Sequence, residues 1–183
     1  MKYIIASDIH GARDACAALL ARFAAEKADR LILLGDLLYH GPRNPLPADY
    51  DTFAVTRLLN EFAPAPLCVR GNCDAEVDQM VLRFPVLADY ALLPLENGRQ
   101  AFLTHGHLFN LDELPPLKDG DLLIHGHTHL PAVERQGGVV YLNPGSVGIP
   151  KNGNPPSYMV YADGLFQIKS LEGVELLRHA LDA

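Results

Sequence analysis

Short, uninterrupted apolar runs punctuate this chain, and most of them stop abruptly at Gly, Asp, Asn or His. Tyr3-Ile4-Ile5-Ala6 is β-branched and lacks polar alternation, which predicts a strand buried on both faces. From Gly11 to Lys27 the residues Cys16, Leu19, Leu20, Phe23 and Ala24 share one helical face, with charges opposite. Leu31 to Leu34 predicts a second buried strand, stopped by Gly35-Asp36. Pro42, Pro45 and Pro47 make the stretch from Gly41 to Pro47 a loop, since proline removes a backbone donor and fixes φ. Asp51 to Phe62 reads as a helix with Phe53, Leu58, Leu59 and Phe62 inward, and Pro66 to Val69 as a third strand.

After Asp74 comes a short helix, then Tyr90 to Leu95 and Gln100 to Leu103 flank Asn97-Gly98, a hairpin signal. Leu122 to Ile124 reads as a strand ending in His125-Gly126-His127. Two more hairpins are predicted: Ala132–Arg135 with Val139–Leu142 through Gly137-Gly138, and Tyr158–Tyr161 with Leu165–Ile168 through Asp163-Gly164. Early β-α-β units followed by hairpins predict an α/β chain with two packed, mainly mixed sheets flanked by helices. No repeat or linker divides it, so residues 1–183 are expected to form one domain.

Composition narrows the function. A net charge of −7 argues against a broad electrostatic grip on long nucleic acid. It leaves room for a small anionic substrate, because bound metal ions would dominate the local field. Cys16, Cys68 and Cys73 form no CxxC pair and leave one odd, so a disulfide framework or thiolate zinc site is not expected and a reducing cytoplasm fits. The apolar start is too short for a signal peptide, and no run is long enough to span a membrane.

The candidate chemistry lies in five polar segments, each just after a strand-like run: Asp8-Ile9-His10, Gly35-Asp36, Gly71-Asn72, His105-Gly106-His107 and Gly126-His127-Thr128-His129. A lone Asp-x-His is ordinarily a solvated loop; the joint pattern is what selects a metal site. Imidazole and carboxylate donors in this mixture suit Mn, Fe, Zn or Ni better than Ca or Mg. Two ions sharing a carboxylate would use the whole set, which points to hydrolysis of a phosphate ester.

In this order the segments resemble the D-x-H, GD, GN, H, GH-x-H pattern of the calcineurin-like metallophosphoesterases. The later Asn143-Pro144-Gly145-Ser146, the proline-rich loop after Gly41 and the uncapped length are similar to the small bacterial YfcE-like phosphodiesterases. The resemblance implies the αββα sandwich of that family. It implies that Asp8, His10 and His129 hold one divalent ion, that Asn72, His105 and His127 hold the other, and that Asp36 bridges them. It further implies a phosphodiesterase for small diesters that acts through a hydroxide shared by two ions, with Mn first and Zn, Fe or Ni as substitutes. Rival readings are a phosphomonoesterase or nucleotidase and a non-catalytic scaffold of the same fold, with Leu108, Phe109 and Leu111 available to a partner; a homo-oligomer is a further possibility.

Many members continue GN with His, thought to protonate the leaving group; here the residue is Cys73. A thiol of ordinary pKa is mostly protonated at neutral pH and could donate that proton, with Asp74 as a fallback acid or an orienting group. His107 is expected beside the metals or the phosphate, and His40, Arg43 and Asn44 on the substrate side. Selectivity is expected from the loops around residues 40–50, 107–118 and 148–157. His125 is expected to be a hydrogen-bonded structural residue, and His179 and Arg13 to lie at the surface.

Overall fold

The computed structural model describes residues 1–181 and begins with β1 (Tyr3–Ala6), α1 (Arg13–Glu26), β2 (Arg30–Leu33), α2 (Thr52–Glu61), β3 (Leu67–Cys68) and α3 (Glu76–Val81). There follow β4 (Tyr90–Pro94), β5 (Gln100–Thr104), β6 (Leu122–Ile124), β7 (Pro131–Gln136), β8 (Val139–Pro144), β9 (Ser157–Ala162), β10 (Leu165–Ser170) and β11 (Glu175–Ala180). They form a six-stranded sheet, β11-β10-β9-β1-β2-β3, and a five-stranded sheet, β4-β5-β6-β8-β7. Both are mixed: β1, β2 and β3 run parallel, as do β5, β6 and β8, and the remaining pairs are antiparallel.

The unbroken apolar runs have the expected cause. In β1, Ile4 and Ala6 face one core and Ile5 faces another; in β2, Leu31 and Leu33 share the first core and Ile32 the second. One core lies between the first sheet and its helices, where α1 and α2 contribute Cys16, Leu19, Val55 and Leu59. The other joins the two sheets through Ile5, Ile32, Leu103, Ile124 and Leu142. Truncating a side chain as completely buried as Ile5 to Ala costs about 2–5 kcal/mol.

Three expectations are corrected. Phe53 is 89% exposed, because Val55 and Leu59 rather than Phe53 complete the buried stripe of α2. Ala24 is exposed near the end of α1. The amphipathic C-terminal segment is an edge strand, β11, where half-buried His179 pairs opposite Phe166 instead of lying on open surface. The three hairpins form as read. Asp163 and Gly164 both take positive φ, 49° and 77°, the twist that a tight antiparallel connection requires. Residues 182 and 183 lie outside the described part of the chain.

Candidate metal centre and active site

The six strands that run parallel within the two sheets deliver the polar segments at their carboxyl ends, where open α/β sheets gather functional loops. Asp8 and His10 follow β1, Asp36 follows β2, Asn72 follows β3, His105 follows β5, and His127 and His129 follow β6. The loop after β8 holds the ring of segments together. Ser146 Oγ donates to the Asp8 carbonyl at 2.9 Å and accepts from Ile149 N at 2.9 Å. Asn143 Nδ2 donates to the Gly126 carbonyl at 2.8 Å.

Backbone strain concentrates here. Asp8, His10, Asp36, His127 and His129 take φ of 58°, 50°, 56°, 65° and 63°, a left-handed conformation that non-glycine residues seldom adopt outside turns and functional sites. The bends are secured by backbone pairs: Asp8 N to Gly35 O at 3.1 Å, His10 N to Asp36 O at 2.9 Å and Gly11 N to Leu37 O at 3.0 Å. Gly35 and Gly71 let two of these loops touch. A Cβ on Gly71 would collide with the Asp36 carboxylate, and one on Gly35 with the backbone of Gly71.

The orientation of the side-chain donors is the informative part. Three imidazoles turn Nδ1 to a backbone carbonyl: His10 to Tyr39 at 2.7 Å, His105 to Leu34 at 2.7 Å and His129 to Ile149 at 2.5 Å. A carbonyl oxygen can only accept, so each Nδ1 carries a proton and each Nε2 is left facing the site as the atom available to a metal. Those Nε2 atoms converge. His10 Nε2 lies 3.3 Å from His129 Nε2, and Asp8 Oδ1 lies 3.5 and 3.2 Å from the same two atoms. On the other side His105 Nε2 lies 3.1 Å from Asn72 Oδ1 and 3.2 Å from His127 Nδ1.

Asp36 sits between the groups. Its Oδ2 is 3.6 Å from His10 Nε2 and 3.4 Å from His105 Nε2, while its Oδ1 accepts Cys73 N at 2.8 Å. Asp8 Oδ1 is buried without a hydrogen-bond partner among the described residues. Imidazole nitrogens and carboxylate oxygens converging around an orphaned carboxylate oxygen form an arrangement that a cation satisfies. The donor set therefore fits divalent metal. Three triads of His, Asp or Cys donors, Asp8-His10-His129, His10-Asp36-Cys73 and Asp8-Asp36-His105, bring their ligand atoms within 4.8 Å of one another.

The electrostatics agree. Burial pushes the Asp8 carboxyl up, but the close approach of His10 and His129 and the charge of His105 hold it well below the usual carboxylate range. Burial opposes the charge on His105 as well, yet its contact with Asp36 and the charge of Asp8 raise its pKa to about 9. His127 is instead driven down to about 4 by burial and by the charge of His105. The two buried carboxylates thus draw positive charge toward the centre of the site.

A cavity of about 430 Å³ opens above these atoms, lined by Asp36, Asn72, Cys73, His127 and His129 together with Arg43, Asn44, Thr128 and Lys151. Cys73 reaches it, and burial followed by the charge of Asp36 pushes its thiol up to about 12. Lys151 was not singled out from sequence, although the loop around residues 148–157 was; its only local signal is its place after the Asn143–Ser146 turn.

Two expected site residues, Asp74 and His40, are placed differently, and Asn44 and His107 lie where expected with added roles. Asp74 is 2% exposed, and its carboxylate accepts Asp36 N, Leu37 N and Gly71 N at 2.8, 3.0 and 2.7 Å. It clamps the two loops from beneath and has no free oxygen to act as an acid. His40 does not line the cavity; its ring packs between Tyr39 and Tyr50, with centroids 4.8 and 5.4 Å away. Asn44 lines it but spends its amide on the His40 carbonyl at 2.9 Å, stiffening the loop. His107 lines a neighbouring groove of about 420 Å³, its ring 5.5 Å from that of His105 and its pKa lowered by burial. His125, with Nδ1 3.0 Å from the Gly126 carbonyl, is buried and structural as read, and Arg13 is exposed beside Asp14.

The family model for the calcineurin-like phosphoesterase superfamily domain matches residues 1–162. The chain belongs to that superfamily. Phosphodiesterase YfcE of Escherichia coli K12 is 48% identical to this superfamily member over 177 residues, covering 97% of this chain and 96% of the relative. A solved structure of YfcE, described as a phosphoesterase from E. coli, superposes with a TM-score of 0.95 at 46% identity over the whole of both chains. Zinc-complexed Vps29 of Entamoeba histolytica shares the fold, with a TM-score of 0.59 at 22% identity and full coverage of both chains. The two mixed sheets and their helices are the metallophosphoesterase sandwich, and the chain is a hydrolase of this superfamily.

Proposed function

We propose that this metallophosphoesterase hydrolyses small phosphodiesters with the help of two divalent ions. The observation that carries the reading is the convergence of imidazole nitrogens and carboxylate oxygens into two groups that share Asp36. Asp8, His10 and His129 would hold one ion, Asn72, His105 and His127 the other, and Asp36 Oδ2 would face both. When bound, such a pair supplies Lewis acidity toward phosphoryl oxygens and lowers the pKa of water. Oxygen and imidazole donors without a thiolate suit Mn, Zn, Fe or Ni, and Mn is the ion proposed first.

The chain's own residues supply the rest. Arg43 and Lys151 bring positive charge to the cavity mouth, where they attract and orient the phosphate. Asn72 contributes a neutral donor, which keeps the site from repelling an anion. Cys73 lines the same cavity, where its thiol can give a proton to the departing oxygen. Asp74 fixes Asp36 and the Gly71-Asn72 turn through three backbone N–H groups.

The intact donor set supports an enzyme over a scaffold. Small diesters are favoured over long nucleic acids because a net charge of −7 offers no basic face. The three free thiols fit a reducing cytoplasm, and among the described residues no helix is long and apolar enough to cross a membrane. Metal-stripped protein reloaded separately with Mn, Zn, Fe, Ni or Mg and assayed on matched mono- and diesters tests the reading. Diesters should turn over fastest with Mn; faster turnover of monoesters across the metal series would reverse the substrate assignment.

A further inference from the structure

Cys73 also borders a second cavity of about 490 Å³, whose lining includes none of the proposed metal ligands. Its walls come from the loop after β2 and from α2 and α3: Leu38, Tyr39, Tyr50, Phe53, Val77 and Val81. The surface is unusual for its exposure, since Phe53 is 89% and Val77 65% accessible. Among its described lining residues there is no Lys or Arg, and the one carboxylate, Asp78, is engaged by Ala75 N at 2.7 Å.

The groove is built into the active-site framework. Tyr50 packs on Gly11, where a Cβ would meet its ring at 2.5 Å. His40 fills the space between Tyr50 and Tyr39, and the Tyr39 carbonyl accepts the His10 Nδ1 proton at 2.7 Å. The loop after β2, which supplies part of the apolar wall, is thus hydrogen-bonded to one proposed metal ligand.

Resting on the diesterase reading, we propose that this groove receives the leaving arm of the substrate and that this arm is apolar, an alkyl or aryl alcohol. Water adds to phosphorus and gives up a proton to solvent, the P–O bond to the arm breaks, and the departing oxygen gains a proton from solvent. An arm leaving past Cys73 runs directly onto Tyr39, Phe53 and Val77. A sugar-phosphate chain taking that path would find no cation for its next phosphate. The occupant with matching chemistry carries one anionic head, for Arg43 and Lys151, and one apolar arm.

A series of methyl 4-alkylphenyl phosphodiesters tests this, because a longer alkyl tail barely alters the acidity of the phenol. A fully buried methylene is worth roughly fourfold in binding, and in a groove open on one side roughly twofold. With Mn-loaded protein, 4-butylphenyl should therefore exceed 4-methylphenyl in kcat/KM by about tenfold. Val77→Asp and Phe53→Ser alter exposed side chains and should bring that ratio close to one. A ratio near one for the wild type, with all the esters hydrolysed, overturns the groove assignment alone. Failure to hydrolyse any diester while a monoester turns over overturns the diesterase reading and the groove with it. An unchanged ratio in Val77→Asp, with sedimentation showing that the substitution splits a dimer, would mean that a second copy of the chain covers the patch instead.

Discussion

Asp74→Ala tests how the site is held in shape. The Asp74 carboxylate is buried and accepts the backbone N–H groups of Asp36, Leu37 and Gly71 at 2.8, 3.0 and 2.7 Å. Removing it leaves three buried donors without an acceptor, and each such orphan costs about 1–3 kcal/mol. Burial raises the carboxyl pKa in spite of those donors, so the anion is itself held at a cost and the lower part of the range applies. The substitution should destabilise the metal-free protein by about 3–4 kcal/mol. It should also weaken metal binding, because Asp36 and Asn72 lose their common anchor. Urea unfolding of metal-free protein measures the first effect and equilibrium dialysis against Mn the second. A loss under about 1 kcal/mol with unchanged Mn affinity would refute the clamp.

Two further outcomes are expected. Burial disfavours the Glu26 carboxylate, but Lys169 and Lys2, at 2.8 and 2.7 Å, bring its pKa down to about 2. Because the folded value is depressed, its stabilisation is present above about pH 4.3 and is lost as pH falls toward about 2. Glu26→Gln should cost about 1 kcal/mol at neutral pH after solvent screening, and the gap from wild type should close across that acid window; a gap constant with pH contradicts this. Cys73→Ser should slow esters of basic alkoxides by about 10²–10⁴-fold and barely affect esters of acidic phenols. An equal effect on both, with metal content unchanged, would make Cys73 a packing residue.

Much of the fold was legible because the strands are buried on both faces and so spell continuous apolar runs, as Tyr3–Ala6 and Leu31–Leu34 do. The proposed metal ligands were legible because each follows such a run. Features that depend on tertiary neighbours were less readable. Phe53 fits the helical period of α2 but is exposed, and periodicity does not reveal which residues complete a buried stripe. The carbonyls of Tyr39, Leu34 and Ile149, which set the histidine tautomers, are backbone atoms without a sequence signature. Asp74 carries the charge of an acid, and only the three N–H groups aimed at it show that it works as an anchor. Lys151 reaches the cavity from a loop far along the chain, a placement that local pattern does not encode.

Metal stoichiometry tests the central claim most directly. Metal-stripped protein dialysed to equilibrium against Mn should bind about two ions per chain, and Asp36→Asn should weaken both because one carboxylate faces both groups. Full diesterase activity with one ion per chain, or two ions bound with unchanged affinity in Asp36→Asn, would contradict it.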